Sequence, residues 1–96
     1  MKPSDALEKN RDAIKNLIAR FPVTNPRVFG SVTLKTDTDN SGLDLLVDAL
    51  SGTTLFDLGG LQSELEDLLG IHVDLITPGD LPIRVRQQVV TQAIPL

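Results

Sequence analysis

Two aspartates in this chain sit where an aspartate is costly. Asp44 interrupts the apolar run Leu43-Asp44-Leu45-Leu46-Val47, and Asp74 interrupts Ile71-His72-Val73-Asp74-Leu75-Ile76. Both runs are short and rich in aliphatic residues, and glycine or polar residues flank them, which predicts buried strands. Side chains alternate along a strand, so Asp44 shares a face with Leu46 and Asp48, and Asp74 shares one with His72 and Ile76. A carboxylate in such a run is unfavourable unless it is paired or bound to a cation. If the two strands are neighbours, Asp44 and Asp74 can lie side by side. Two close carboxylates repel each other unless they share a proton or a divalent cation, and oxygen ligands of this kind suit Mg2+ or Mn2+. Gly30-Ser31 adds a second possibility, following a short predicted strand at Arg27-Val28-Phe29. Glycine lets the backbone approach a ligand closely, and exposed N–H groups beside a hydroxyl can hold a phosphate.

The elements that must position these groups can be read along the chain. Ser4 is a candidate cap for a first helix, with Asp5 and Glu8 in its first turn and Leu7, Ile14, Leu17, Ile18 and Phe21 at helical spacing. Pro22 ends it, because the residue before proline is pushed out of the helical region. Thr24-Asn25-Pro26 reads as a turn, Val32 to Lys35 as one helical turn, and Thr36 to Gly42 as a loop. Leu55, Leu58, Leu61, Leu65, Leu68 and Leu69 mark a second helix that Gly70 can cap. Pro78-Gly79-Asp80 is a turn with Asp80 as a candidate cap, and Leu81 to about Ala93 predicts a last helix. The order αβ(α)βαβα predicts an α/β chain folded as one domain over residues 1–96.

Composition narrows the functional classes. The 96 residues carry a net charge of −4, which disfavours broad electrostatic binding to nucleic acid. No cysteine is present, so disulfides and thiolate zinc sites are excluded, and this fits the reducing cytoplasm. No apolar run reaches the roughly 18 residues that a membrane span needs, and the first residues lack the apolar core of a signal peptide.

Taken together, Arg27-Val28-Phe29-Gly30-Ser31, ten residues, and then Gly42-Leu43-Asp44-Leu45-Leu46-Val47-Asp48 resemble the signature of the minimal nucleotidyltransferases. That family reads Gly-Ser, ten residues, Asp-x-Asp, and later a third aspartate on a strand. Leu65 to Ile76 looks like the region of the third carboxylate. The resemblance implies the nucleotidyltransferase fold, an α+β arrangement with a small mixed sheet of three or four strands flanked by helices. It implies that Gly30 and Ser31 are nucleotide-binding, and that Asp44 and Asp74 are catalytic residues and metal ligands for Mg2+ or Mn2+. Two cations would then clamp an in-line displacement. It further implies an NTP substrate, ATP by preference, transfer of AMP to a hydroxyl, and pairing as an antitoxin with a helical HEPN-type toxin. Homo-oligomerisation is left open.

The chain departs from the family pattern where Gly42 replaces the first aspartate of Asp-x-Asp. Asp37, Asp39 and Asp48 are the candidates to substitute for it. Three states follow from the departure: a weakened enzyme, a site with a substituted ligand, and a module that works by binding alone. A competing reading treats Asp37-Thr38-Asp39-Asn40-Ser41-Gly42 as the opening of an EF-hand calcium loop. Against it, Asp44 stands where an apolar residue belongs, Asp48 stands where the loop needs glutamate, and the preceding element reads as a strand. Asp44 and Asp74 could also serve only as strand-end residues paired with Arg27. His72, the one histidine, reads as a packed or surface residue, and Arg84 and Arg86 read as a solvated helix face.

Overall fold

The computed structural model describes all residues from Met1 to Leu96. Its elements are α1 (Pro3–Ile18), β1 (Val23–Phe29), β2 (Leu43–Ala49), α2 (Leu55–Leu69), β3 (Val73–Ile76), a 3-10 turn (Pro78–Asp80), α3 (Ile83–Gln92) and β4 (Ile94–Pro95). The four strands form one mixed sheet in the order β3-β2-β1-β4. β1 runs antiparallel to β2 and β4, while β2 and β3 are parallel and joined through α2. The predicted α/β class with a small mixed sheet is therefore the observed one.

Alternation along the strands decides where the core lies. Leu43, Leu45 and Val47 are fully buried on one face of β2, together with Val28, Val73 and Leu75 from its neighbours. α1 covers this face with Leu7, Ile14, Leu17 and Ile18, and α2 covers it with Leu61 and Leu65. Burying each such aliphatic side chain stabilises the fold by about 1.5–3 kcal/mol. The opposite face carries Asp44, the buried Leu46 and Asp48, so one strand supplies both the centre of the core and two carboxylates on the other side of the sheet.

Local chemistry differs from the sequence reading in several places. Ser4 does not cap α1, which begins at Pro3 without a side-chain cap of its own. Instead the Asp37 carboxylate accepts from the Ser4 N–H at 2.9 Å, a cap supplied from a distant loop. Thr24-Asn25-Pro26 is not a free turn but an irregularity inside β1, where Asn25 takes φ 53° and the register with β2 shifts. The last helix, expected over Leu81 to about Ala93, spans Ile83–Gln92, and the chain then forms an edge strand, β4, that pairs Ile94 and Pro95 with Val28 and Arg27. Asp80 does not cap α3 but accepts from the Thr77 N–H at 3.0 Å. The predicted second helix is borne out, with Thr54 and Asp57 capping its start reciprocally and Gly70 closing it at φ 69°.

The outer edge of β3 is closed by α2. Glu66 accepts from the Val73 N–H at 3.0 Å, and Gln62, one turn earlier, accepts from the Leu75 N–H at 3.3 Å. Unpaired strand edges invite association with other strands, and these two side chains occupy the donors that would template it.

Candidate active site

The parallel register of β2 and β3 sets Asp44 directly opposite Asp74. Antiparallel pairing puts Phe29, the last residue of β1, on the other side of Asp44. Gly30 follows, and the chain turns there at φ 75°, a left-handed conformation that a side chain would strain. A Cβ at Gly30 would come within 2.2 Å of Asp44 Oδ2, so the backbone of the Gly30-Ser31 turn lies against this carboxylate in a way no other residue allows. The turn carries one α-type bond, from the Leu34 N–H to the Gly30 carbonyl at 3.1 Å, and one 3-10-type bond, from the Lys35 N–H to the Val32 carbonyl at 3.2 Å, and ends at Lys35 with φ 58°. The helical turn read at Val32 to Lys35 is thus a hydrogen-bonded turn that never propagates.

Electrostatics at the pair follow from this geometry. Burial pushes the Asp44 carboxyl up from 3.8 to about 6, and the Asp74 charge and a hydrogen bond with Asp74 push in the same direction. A shared proton or a shared cation relieves the same repulsion. A hard divalent cation fits here: Mg2+ commonly takes one or two carboxylates and completes its shell with water and phosphate oxygens. Asp44 and Asp74 would hold it. No cluster of three or more His, Cys, Asp or Glu side chains is arranged to hold a metal ion without such help.

None of the candidate substitutes for the carboxylate missing at Gly42 reaches the site. Asp37 is committed to α1, and the bond to Ser4 lowers its pKa. Asp39 lies near the N-terminal amine, at 3.8 Å. Asp48 pairs with Arg27 at 2.9 Å and accepts from Asn25 at 3.1 Å. The same contacts dispose of two other readings. The Asp37–Gly42 segment does not gather its carboxylates as a calcium loop would, and Arg27 pairs with Asp48 rather than with Asp44 or Asp74. Arg86 turns back to donate to the Leu81 carbonyl at 3.0 Å, and Arg84 lies exposed on α3.

The residue that sequence reasoning missed is His72. Its Nε2 lies 2.9 Å from Asp74 Oδ1, and its Nδ1 lies 2.9 Å from Glu66 Oε2. Asp74 raises the imidazole pKa above 6.5 through a hydrogen bond and its charge, and Glu66 adds to this. The signal was present in the alternation that puts His72 and Asp74 on one face. What could not be read was the approach of Glu66 from α2.

A Gly-Ser turn packs against one strand aspartate, with a second aspartate beside it in parallel register, on a mixed sheet covered by helices. The chain belongs to the nucleotidyltransferase domain family, whose sequence pattern matches residues 10–95. Protein adenylyltransferase MntA of Thermococcus cleftensis is 32% identical to it over 80 residues, covering 83% of this chain and 81% of that protein. A candidate protein adenylyltransferase of Methanocaldococcus jannaschii, MJ0126, is 35% identical over 78 residues, 81% of this chain and 80% of that protein. Among solved structures, a candidate minimal nucleotidyltransferase superposes with a TM-score of 0.86 at 42% identity, over 97% of this chain and 95% of that one. A chain from a toxin–antitoxin crystal structure with AMP-PNP superposes with a TM-score of 0.76 at 27% identity, over 90% of this chain and 71% of that chain.

Proposed function

We propose that this chain is the antitoxin of a toxin–antitoxin pair and transfers a nucleoside monophosphate, AMP from ATP, to a hydroxyl of a HEPN-type toxin. The observation that carries the reading is the juxtaposition of Asp44, Asp74 and the Gly30-Ser31 backbone. Gly30 and Ser31 would receive the triphosphate. Asp44 and Asp74 would hold Mg2+, or Mn2+, which supplies charge neutralisation at the phosphates. Asp74 would also orient the attacking hydroxyl. The adenylyltransferase relatives and the AMP-PNP complex support ATP as the nucleotide, and the toxin–antitoxin structure supports the partner. A protein using ATP and Mg2+ in this way belongs in the cytoplasm. No helix here is long and apolar enough to cross a membrane.

The test is label transfer from ATP labelled in its α-phosphate to the co-encoded toxin in the presence of Mg2+. Transfer should occur with the native chain and vanish with Asp44→Ala. If no nucleotide labels the toxin under any condition, transfer is not the function.

Gly42 favours a second reading, neutralisation by binding without transfer. Under it the chain occludes the toxin, and the solvent-facing Leu55 and Phe56, which are 86% and 93% exposed, offer an apolar contact. Inhibition of the toxin that survives both Asp44→Ala and removal of nucleotide would favour this reading over catalysis.

A further inference from the structure

The pairing of β2 with β3 extends one step before β2 begins. Leu43 stands opposite Val73 and Asp44 opposite Asp74, and the Leu43 N–H donates to the His72 carbonyl at 2.9 Å. Gly42 is therefore the lateral neighbour of His72, as Asp44 is of Asp74. A Cβ at Gly42 would lie 3.2 Å from His72 Cδ2 and 3.2 Å from the His72 carbonyl oxygen. The imidazole thus stands where a side chain at position 42 would need room. It is held there from both ends, by Glu66 on α2 and by Asp74 on its own strand. Its bond engages Oδ1 of Asp74, the carboxylate that also interacts with Asp44.

We propose that Gly42 and His72 are a matched pair that makes this a site for one divalent cation rather than two. His72 is a positioning residue, anchored by Glu66, that fixes Asp74 beside Asp44 and takes the space and the carboxylate oxygen a second cation would need. The single cation sits between Asp44 and Asp74 in place of the proton they otherwise share, and the nucleotide phosphates complete its shell. The inference rests on the nucleotide and cation reading given under Proposed function.

The test counts metal ions directly, with Mn2+ and AMP-PNP as probes, by anomalous scattering from co-crystals. The native chain should show one Mn2+ peak per chain, and Gly42→Asp alone should still show one. Gly42→Asp combined with His72→Ala, which opens the space and restores a carboxylate, should show two. His72 is 62% exposed, so its removal leaves the core intact. Two peaks in the native chain overturn the inference while leaving the nucleotide site standing, as do two peaks in Gly42→Asp with His72 still on Asp74. One peak in the double variant also overturns it. A native complex with neither Mn2+ nor AMP-PNP overturns the reading of the site itself, and the inference with it.

Discussion

Asp44 couples the chemistry of this site to the stability of the fold. Folded, it keeps its proton up to about pH 6, whereas the unfolded chain releases it near 3.8. Between those values the native state binds more protons than the unfolded state, so the stability of the metal-free protein should decline as pH rises from about 4 to about 6. His72 acts in the same sense. Its raised pKa gives a contribution that is complete below 6.5 and is lost as pH climbs through the higher folded-state value. Denaturant titrations across this range should show the decline, a flatter profile for Asp44→Asn, and recovery at pH 7.5 on adding Mg2+. A melting temperature indifferent to Mg2+ at that pH would argue against a cation on the pair. Gly30→Ala tests the other half of the site. The added carbon meets Asp44 Oδ2 and forces an alanine to φ 75°, so we expect a loss of about 1–3 kcal/mol in urea unfolding and no measurable AMP-PNP binding.

On the face of β1 and β2 that carries the site, a polar contact links the two strands. Arg27 is buried to 8% exposure on β1, and its guanidinium is held by Asp48 of β2, itself steadied by Asn25 in the β1 irregularity. Asp48 is 40% exposed and can turn to water when its partner goes, so Arg27→Ala should cost less than a fully buried pair would, about 1–3 kcal/mol. Calorimetric melting at pH 7 checks this, and a change within 0.5 kcal/mol would mean that the pair is incidental. β3 depends on α2 in a comparable way, since Gln62 and Glu66 supply acceptors to its outer N–H groups.

Helices α1 and α2 cover one face of the sheet, and the carboxylate pair lies on the other. Its stability rests on the core layer, where Leu65 is fully buried between α2 and the sheet. Leu65→Ala should cost about 2–5 kcal/mol in chemical unfolding. Phe56, one residue from the start of the same helix, is 93% exposed, and Phe56→Ser should change stability by less than about 0.5 kcal/mol. If toxin binding nonetheless weakens in Phe56→Ser, that face contributes to the partner contact. If it does not, the contact lies elsewhere.

Much of this arrangement was legible in the residues. Alternation in Leu43–Val47 and Ile71–Ile76, the leucine stripe of α2 and the fixed interval from Gly30-Ser31 to Asp44 are short-range patterns, and short-range patterns report strand faces, helix faces and motif spacing. They led to the α/β fold, to Gly30 and Asp44, and to Asp74 as the second carboxylate. The fate of Asp37, Asp48 and His72 was not legible, because each is settled by a partner far away in the chain or on another element. Ser4 draws Asp37 to the start of α1, Arg27 draws Asp48 across the strand pair, and Glu66 reaches from α2 to His72. A carboxylate goes to the nearest donor in space, and nearness in space is fixed by strand register and helix packing, which pair residues without regard to their separation along the chain.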